Sequence, residues 1–242
     1  MSDPAATLRQ WIEESENIVF FGGAGVSTES GIPDFRSVDG LYNQKYSEPP
    51  EEIISHSYFL RWPEKFYRFY KEKMLYPQAE PNDCHKALAK LEAEGKLKCV
   101  LTQNIDGLHQ KAGSRKVIEL HGTTLKNYCM SCGRSFSVEY VLEAEGVPRC
   151  DKCGGIVKPD VVLYEESLHD GDMEEAVRYI RKADIFIVGG TSLTVYPAAG
   201  LVDYYRGKRL VLINKSTTPY DSYADLVIHD SIGKVFRQCV SL

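Results

Sequence analysis

Short uninterrupted runs of Val, Ile, Leu and Phe recur along this chain, and each stops at glycine or a small polar residue. Residues 17–21 run into Gly22-Gly23, 98–102 into Gln103-Asn104, and 117–120 into His121-Gly122. Residues 184–188 run into Gly189-Gly190-Thr191-Ser192 and 209–213 into Asn214, with a further run at 226–228. Continuous apolar runs of this length predict strands covered on both faces, because a strand with one wet face alternates instead. Between them the apolar positions return at helical spacing. Leu8, Trp11 and Ile12 share one face of an N-terminal helix within residues 1–16. Residues 63–74, 83–94 (stopped by Gly95), 172–181 and the stretch from Ile232 read as further helices.

Buried strands alternating with helices place the chain in the α/β class, as a Rossmann-like parallel sheet with helices on both faces. An insertion of different character interrupts it, and Val161–Tyr164 is expected to resume the sheet afterwards. Cys129, Cys132, Cys150 and Cys153 mark the insertion with the spacing C-x2-C-x17-C-x2-C. Each C-x2-C turn can bring two thiolates to one ion, and four close a tetrahedral structural site for one Zn2+. Four protein ligands leave no open position for catalysis. The same cysteines could form two disulfides, which a cytoplasmic chain disfavours. Residues 1–122 and 158–242 are therefore expected to form one discontinuous domain. Residues 123–157 are read as a small zinc-ribbon module, with a helical insertion at about 40–80. Cys84, Cys99 and Cys239 follow no partner pattern and read as small buried apolar residues.

Charge narrows the class further. The 242 residues carry a formal net charge of -5 and no block of Lys and Arg, so no nucleic-acid partner is expected. No apolar run approaches the roughly 20 residues that span a bilayer, so no membrane partner is expected either. The first residues lack a basic segment followed by an apolar stretch, which points to a cytoplasmic location.

Small and polar residues gather just past the predicted strands: Ala24, Gln103 to Asp106, His121, Gly190-Thr191-Ser192 and Asn214. In open α/β sheets ligands bind in the crevice at those ends, so the pattern implies a nucleotide-sized ligand. Gly23-Ala24-Gly25-Val26-Ser27-Thr28 matches G-x-G-x-x but has Thr28 where a dinucleotide fingerprint takes Gly or Ala. No acidic residue closes a second strand some 20 positions on. By itself the loop is either a dinucleotide turn or a tight strand-to-helix turn. It then detours into Pro33-Asp34-Phe35-Arg36.

The stretch Gly-Ala-Gly-Val-Ser-Thr-Glu-Ser-Gly-Ile-Pro-Asp-Phe-Arg resembles the signature of the sirtuins, NAD-dependent protein lysine deacylases. Thr-Gln-Asn-Ile-Asp at 102–106, Glu-Leu-His-Gly at 119–122, the four cysteines and Gly-Thr-Ser-Leu at 190–193 follow in the family's order. The resemblance implies that NAD+ is the co-substrate and that acetyl-lysine proteins or peptides are the partners. It implies that Ala24 and Thr28 line the dinucleotide, while Phe35 and Arg36 shield its nicotinamide end. Gln103, Asn104, Ile105 and Asp106 would surround the nicotinamide pocket, Asp106 reading the amide and Asn104 holding water or ribose; Asp106 also suits a helix cap. His121 would be the general base, deprotonating a ribose hydroxyl of an O-alkylamidate intermediate so that the products are nicotinamide, O-acetyl-ADP-ribose and free lysine. His121 and Asn104 are thus the catalytic pair.

The same resemblance puts Thr191, Ser192 and Asn214 on phosphate and ribose and Ile232 near adenine. It puts the substrate peptide as an added strand along Val161, Val162 and Tyr164. The remaining histidines, His56, His85, His109, His169 and His229, read as structural hydrogen-bonders. Tyr67-Arg68-Phe69-Tyr70 ends in Tyr where succinyl- or malonyl-preferring members carry Arg, so acetyl or a longer apolar acyl group is expected. Two positions depart from the family. Gly22 replaces a frequent Thr, and Glu165 replaces a glycine in the substrate cleft, where its carboxylate either acidifies the wall or faces solvent. A NAD-cleaving or mono-ADP-ribosyl-transferring enzyme using the same pocket is the alternative activity. A non-catalytic module is the third, against which Asn104, Asp106 and His121 stand together.

Overall fold

The computed structural model describes residues 3–35, 40–43 and 48–242. Helix α1 (Pro4–Glu14) begins at Asp3, whose carboxylate accepts from the Ala5 N–H, and leads into strand β1 (Ile18–Gly22). Three helices follow, α2 (Pro50–Ile53), α3 (His56–Arg61) and α4 (Pro63–Lys73). Helix α5 (Asp83–Ala93) opens on a capping box between Asn82 and His85, then β2 (Leu97–Thr102), α6 (Leu108–Lys111) and β3 (Val117–Glu119) follow. The next segment holds β4 (Gly122–Cys129), β5 (Ser135–Ser137), α7 (Val138–Glu143) and β6 (Val157–Val161). Helix α8 (Asp170–Lys182), β7 (Ile185–Gly189), β8 (Leu210–Ile213), β9 (Leu226–Ile228) and α9 (Ile232–Cys239) complete the chain.

Six strands form one sheet in the order β3-β2-β1-β7-β8-β9. Every pairing in it is parallel. The apolar runs are buried because helices cover both faces. Phe20, Val100, Ile187 and Val211 meet Leu8 of α1, Leu88 of α5 and Phe236 of α9 on one side. Val19, Phe21, Leu101 and Val188 meet Ala176 and Ile180 of α8 on the other. The chain runs outward from β1 through β2 to β3, then returns to build β7, β8 and β9 on the opposite side of β1. Between β1 and β7 the order reverses, and such a switch point leaves a crevice at the carboxyl ends of the strands.

Val161–Tyr164 does not resume that sheet. Strand β6 ends at Val161 and pairs antiparallel with β4, forming a separate three-stranded sheet in the order β5-β4-β6. Its partner is the segment that leaves the main sheet at Gly122, so antiparallel return was the shorter route. Phe59, Phe66, Tyr67 and Tyr70 of α3 and α4 form an aromatic cluster packed with Val141 of α7 and Val157 of this small sheet. Under the main sheet, His85 and His109 stack edge-on with ring centroids 4.7 Å apart. The His85 Nδ1 accepts from the Asn82 N–H as part of the cap. The two nitrogens of His109 have no hydrogen-bond partner among the described residues, contrary to its reading as a hydrogen-bonder; its ring serves packing instead. Among the described residues no helix is long and apolar enough to cross a membrane.

Candidate functional site

At the switch point the turn after β1 meets the turn after β7. A side chain on Gly190 would bring its Cβ within 2.4 Å of the Val26 nitrogen, and its φ of 62° is left-handed. Only glycine lets these two backbones pass so closely. Instead of feeding a long helix, the loop makes two short 3-10 turns, Ala24–Val26 and Thr28–Ser30. The detour is held at three points. The Thr28 hydroxyl donates to the Gly25 carbonyl (3.0 Å), and Asn82 Nδ2 donates to the Val26 carbonyl (2.8 Å) and Ser30 Oγ (3.0 Å). Glu29 reaches α9, where its carboxylate accepts from the Gly233 N–H at 2.6 Å. Phe35 rests against Tyr42, centroids 5.3 Å apart. Arg36 lies outside the described residues.

Residues 103–106 follow β2 into the same crevice. Ser27 Oγ donates to Asp106 Oδ2 at 2.6 Å, and Asn104 Nδ2 donates to Ser27 Oγ at 3.0 Å. The other Asp106 oxygen accepts from the Leu108 N–H (2.9 Å) at the start of α6, so the capping role and the polar cluster coexist. Burial pushes the Asp106 carboxyl above its usual range, opposed by the bond from Ser27 and the Leu108 N–H. Ser27 was not among the residues singled out from sequence, although it stands inside the glycine motif. Its signal was its position, a buried hydroxyl facing a carboxylate 79 residues away.

His121 sits just past β3 with Nδ1 2.9 Å from the Gln103 carbonyl oxygen. A carbonyl only accepts, so Nδ1 carries the proton and Nε2 keeps its lone pair. Burial holds the imidazole pKa below its ordinary value, with the Gln103 bond opposing. The ring is therefore a neutral base near neutrality. The Gln103 side chain crosses to the β7 turn, donating to Thr191 Oγ1 at 3.0 Å. Thr191 N–H donates in turn to Asn214 Oδ1 at 2.9 Å. Gln103, Asn104, Asp106, His121, Thr191 and Asn214 are thus joined in two short chains of hydrogen bonds. Ser192 faces Thr194 at 2.8 Å, the Ile105 carbonyl is bonded to Thr124, and Ile232 is buried against Gly189. Asn214 Nδ2 is buried with no partner among the described residues, an orphaned donor of the kind a ribose oxygen satisfies. With the hydroxyls beside it and the close-packed glycine turns, this donor fits a dinucleotide.

The four cysteines converge at the tip of the small sheet, their sulfurs all within 4.8 Å of one another. Cys129 and Cys153 sulfurs are 3.4 Å apart, Cys132 and Cys150 3.7 Å. A tetrahedron with Zn–S bonds of about 2.3 Å puts its sulfurs about 3.8 Å apart, so the set fits zinc. Both knuckles close the same way. The Gly133 N–H donates to the Cys129 carbonyl (2.9 Å) and the Gly154 N–H to the Cys150 carbonyl (2.8 Å).

Val161, Val162 and Tyr164 follow as a strip between the two sheets. Val161 pairs with Gly122, the Val162 N–H donates to the His121 carbonyl (3.0 Å), and the Tyr164 N–H to the Ile54 carbonyl (3.1 Å). Glu165 is solvent-exposed, and its side chain is held at the surface. Its carboxylate accepts from the Ser57 N–H (2.8 Å) and the Ser57 hydroxyl (2.9 Å), at the first turn of α3. Glu166 bonds His56 Nδ1 (2.7 Å), the Leu163 N–H (2.8 Å) and the buried Lys158 ammonium (3.2 Å).

Residues 23–197 match the model of the Sir2 family. Among curated relatives, the NAD-dependent protein deacetylase of Clostridium perfringens is 61% identical over 243 residues, covering 99% of this chain and 100% of that one. The protein of the same name from Staphylococcus aureus strain N315 is 43% identical, with 100% of each covered. A solved Sir2 homolog–NAD complex is similar with a TM-score of 0.86 at 42% identity, over 97% of this chain and 91% of that one. A Sir2 variant solved with deacetylated p53 peptide and 3′-O-acetyl ADP ribose is similar with a TM-score of 0.88 at 41% identity, over 96% of each.

Proposed function

The chain belongs to the Sir2 family and is an NAD-dependent protein deacetylase, and we propose that His121 is its general base, working at Nε2. What carries this reading is the state of the ring: burial keeps it neutral, and the Gln103 carbonyl fixes the proton on the far nitrogen. NAD, as substrate, supplies the electrophilic ribose carbon and takes up the acetyl group. We assign Asp106 to the nicotinamide amide and Asn104 to the ribose or a water beside it, both held by Ser27. Ala24, Thr28, Phe35, Gln103 and Ile105 line the same end. Thr191, Ser192 and Asn214 take phosphate and ribose, and Ile232 backs the adenine. Arg36 joins them by motif only, being outside the described residues.

The protein partners are acetyl-lysine peptides, bound as an added strand along Val161, Val162 and Tyr164. Acetyl suits this chain better than a dicarboxylic acyl group, since Tyr67 and Tyr70 are buried core rings that offer no cation. One Zn2+ at Cys129, Cys132, Cys150 and Cys153 is structural. Residues 123–157 act as a zinc module on a dinucleotide-binding body formed by 1–122 and 158–242. The cytoplasm suits four thiols at metal-ligand spacing, because they stay reduced there.

Nicotinamide release followed by mass spectrometry, with and without an acetyl-lysine peptide, tests the activity. Release only with peptide, together with O-acetyl-ADP-ribose, is expected; release without peptide moves NAD cleavage ahead. In the same assay His121→Ala should lower kcat by about 10²- to 10⁴-fold while ADP-ribose binding persists. Full activity in that variant removes His121 from the mechanism.

A further inference from the structure

Glu165 has a φ of 75°, in the left-handed region that suits glycine and strains other residues. A side chain that holds such a conformation against its preference must be held in return. Here the restraint is explicit, since both carboxylate oxygens of Glu165 are bonded to Ser57, one by the backbone N–H and one by the hydroxyl. The residues on either side are fixed to the same short segment. The His56 N–H donates to the Tyr164 carbonyl at 3.0 Å, the Tyr164 N–H donates to the Ile54 carbonyl at 3.1 Å, and Glu166 bonds His56. Ser55 and Tyr164 form a lone parallel bridge. The strip 161–164 therefore leaves the small sheet and is immediately bound to the start of α3.

We propose that Glu165 is a positioning residue, which by committing its carboxylate to Ser57 holds the turn after Tyr164 left-handed and presents the strip 161–164 as a preformed edge for the peptide. The proposal rests on reading that strip as the peptide edge. It assigns Glu165 a role through Ser57 and none through its charge, since both carboxylate oxygens already accept from Ser57. An edge that is ordered beforehand loses less freedom when a strand is added to it, so the effect falls on peptide affinity rather than on the chemical step.

Peptide and NAD kinetics of four variants test this. Glu165→Ala keeps the strained backbone position and loses both bonds, and should raise the peptide KM about five- to tenfold with kcat and the NAD KM within about twofold. Glu165→Gln retains an acceptor for Ser57 and should stay near the original peptide KM. Glu165→Gly adopts the left-handed turn without strain and should fall between the two. Ser57→Ala, which keeps the N–H and loses the hydroxyl, should also fall between. An unchanged peptide KM in Glu165→Ala overturns the proposal. So does a loss in Glu165→Gln equal to that in Glu165→Ala and growing with the positive charge of the peptide, which would make Glu165 a direct reader of peptide charge. Hydrogen exchange of the unsubstituted protein separates the premise from the proposal. Protection of 161–164 when an acetyl-lysine peptide is added with ADP-ribose supports the edge; no protection overturns the edge and the proposal together.

Discussion

The crevice between β1 and β7 and the four-cysteine tip are both built where backbone turns sharply, but they are held in different ways. Around the crevice, the loops are fixed by the protein itself. Ser27, Asn104 and Asp106 bond one another, and Gln103 spans from His121 to Thr191. Beneath them lies a six-stranded sheet with an apolar core on each face. The cysteine tip rests on three strands, with Cys129 and Cys150 buried in the same apolar cluster as the aromatic rings and Cys132 and Cys153 exposed, and its four sulfurs face one another. One site is shaped by bonds among its own side chains, and the other by four thiols whose mutual spacing suits one ion. Loss of ligand should therefore leave the crevice standing and unmake the tip.

Removing zinc tests the largest side of that contrast. Chelation, or Cys132→Ala, should abolish peptide deacetylation and expose amides of 122–161 to exchange, since structural zinc supplies folding energy directly. ADP-ribose binding by calorimetry should change little. A chelated protein that still turns over peptide at the original rate would erase the distinction.

Ser27→Ala probes the opposite region and should be milder. It leaves Asp106 Oδ2 and Asn104 Nδ2 without their shared partner inside the crevice, an unsatisfied pair that costs about 1–3 kcal/mol. We expect weaker NAD binding and slower turnover, with the thermal stability of the small sheet unaffected. Equal affinity for NAD in the variant would show that the Ser27 cluster is packing alone.

The smallest effect concerns pH and the main sheet. Burial lowers the His85 pKa from 6.5 to about 4 and holds His109 well below its ordinary value, with the His85 charge adding to the latter. Both are depressed bases, neutral when folded, so their contribution is fully present above the unfolded value near 6.5. It is lost as pH falls below that value, for His85 towards about 4. Near pH ~5.5 the cost is about 1 kcal/mol for a histidine shifted as His85 is. Thermal midpoints measured from neutral pH downward should fall for the unsubstituted protein and less steeply for His109→Phe. Identical slopes would place the acid sensitivity elsewhere.

Much of this was legible in the sequence because it depended on near neighbours. The apolar runs, their glycine stops and the paired cysteines each declare themselves within a few residues. The strip after β6 did not. Val161–Tyr164, Val-Val-Leu-Tyr, has the composition of a central strand, and nothing local says that it continues a strand paired with β4 rather than joining the main sheet. Ser27 was visible as part of a motif, but its partners lie beyond β2. Glu165 was noticed as a departure, and its meaning was hidden because Ser57 stands 108 residues earlier. Polar contacts across such separations leave no period in the chain to read.

The bond between Glu29 and the first turn of α9 has an electrostatic consequence of its own. The amino end of a helix carries a partial positive charge and exposed N–H groups, which ordinarily make it a receptacle for anions. In this chain that end is already matched by an internal counter-ion, the carboxylate 2.6 Å from the Gly233 nitrogen. An anion near the α9 terminus meets a carboxylate already bonded there, so the loops past the strands, and not this helix end, are left to supply its donors. The helix gives up its attraction for ligand and serves as a mooring for the loop that receives one.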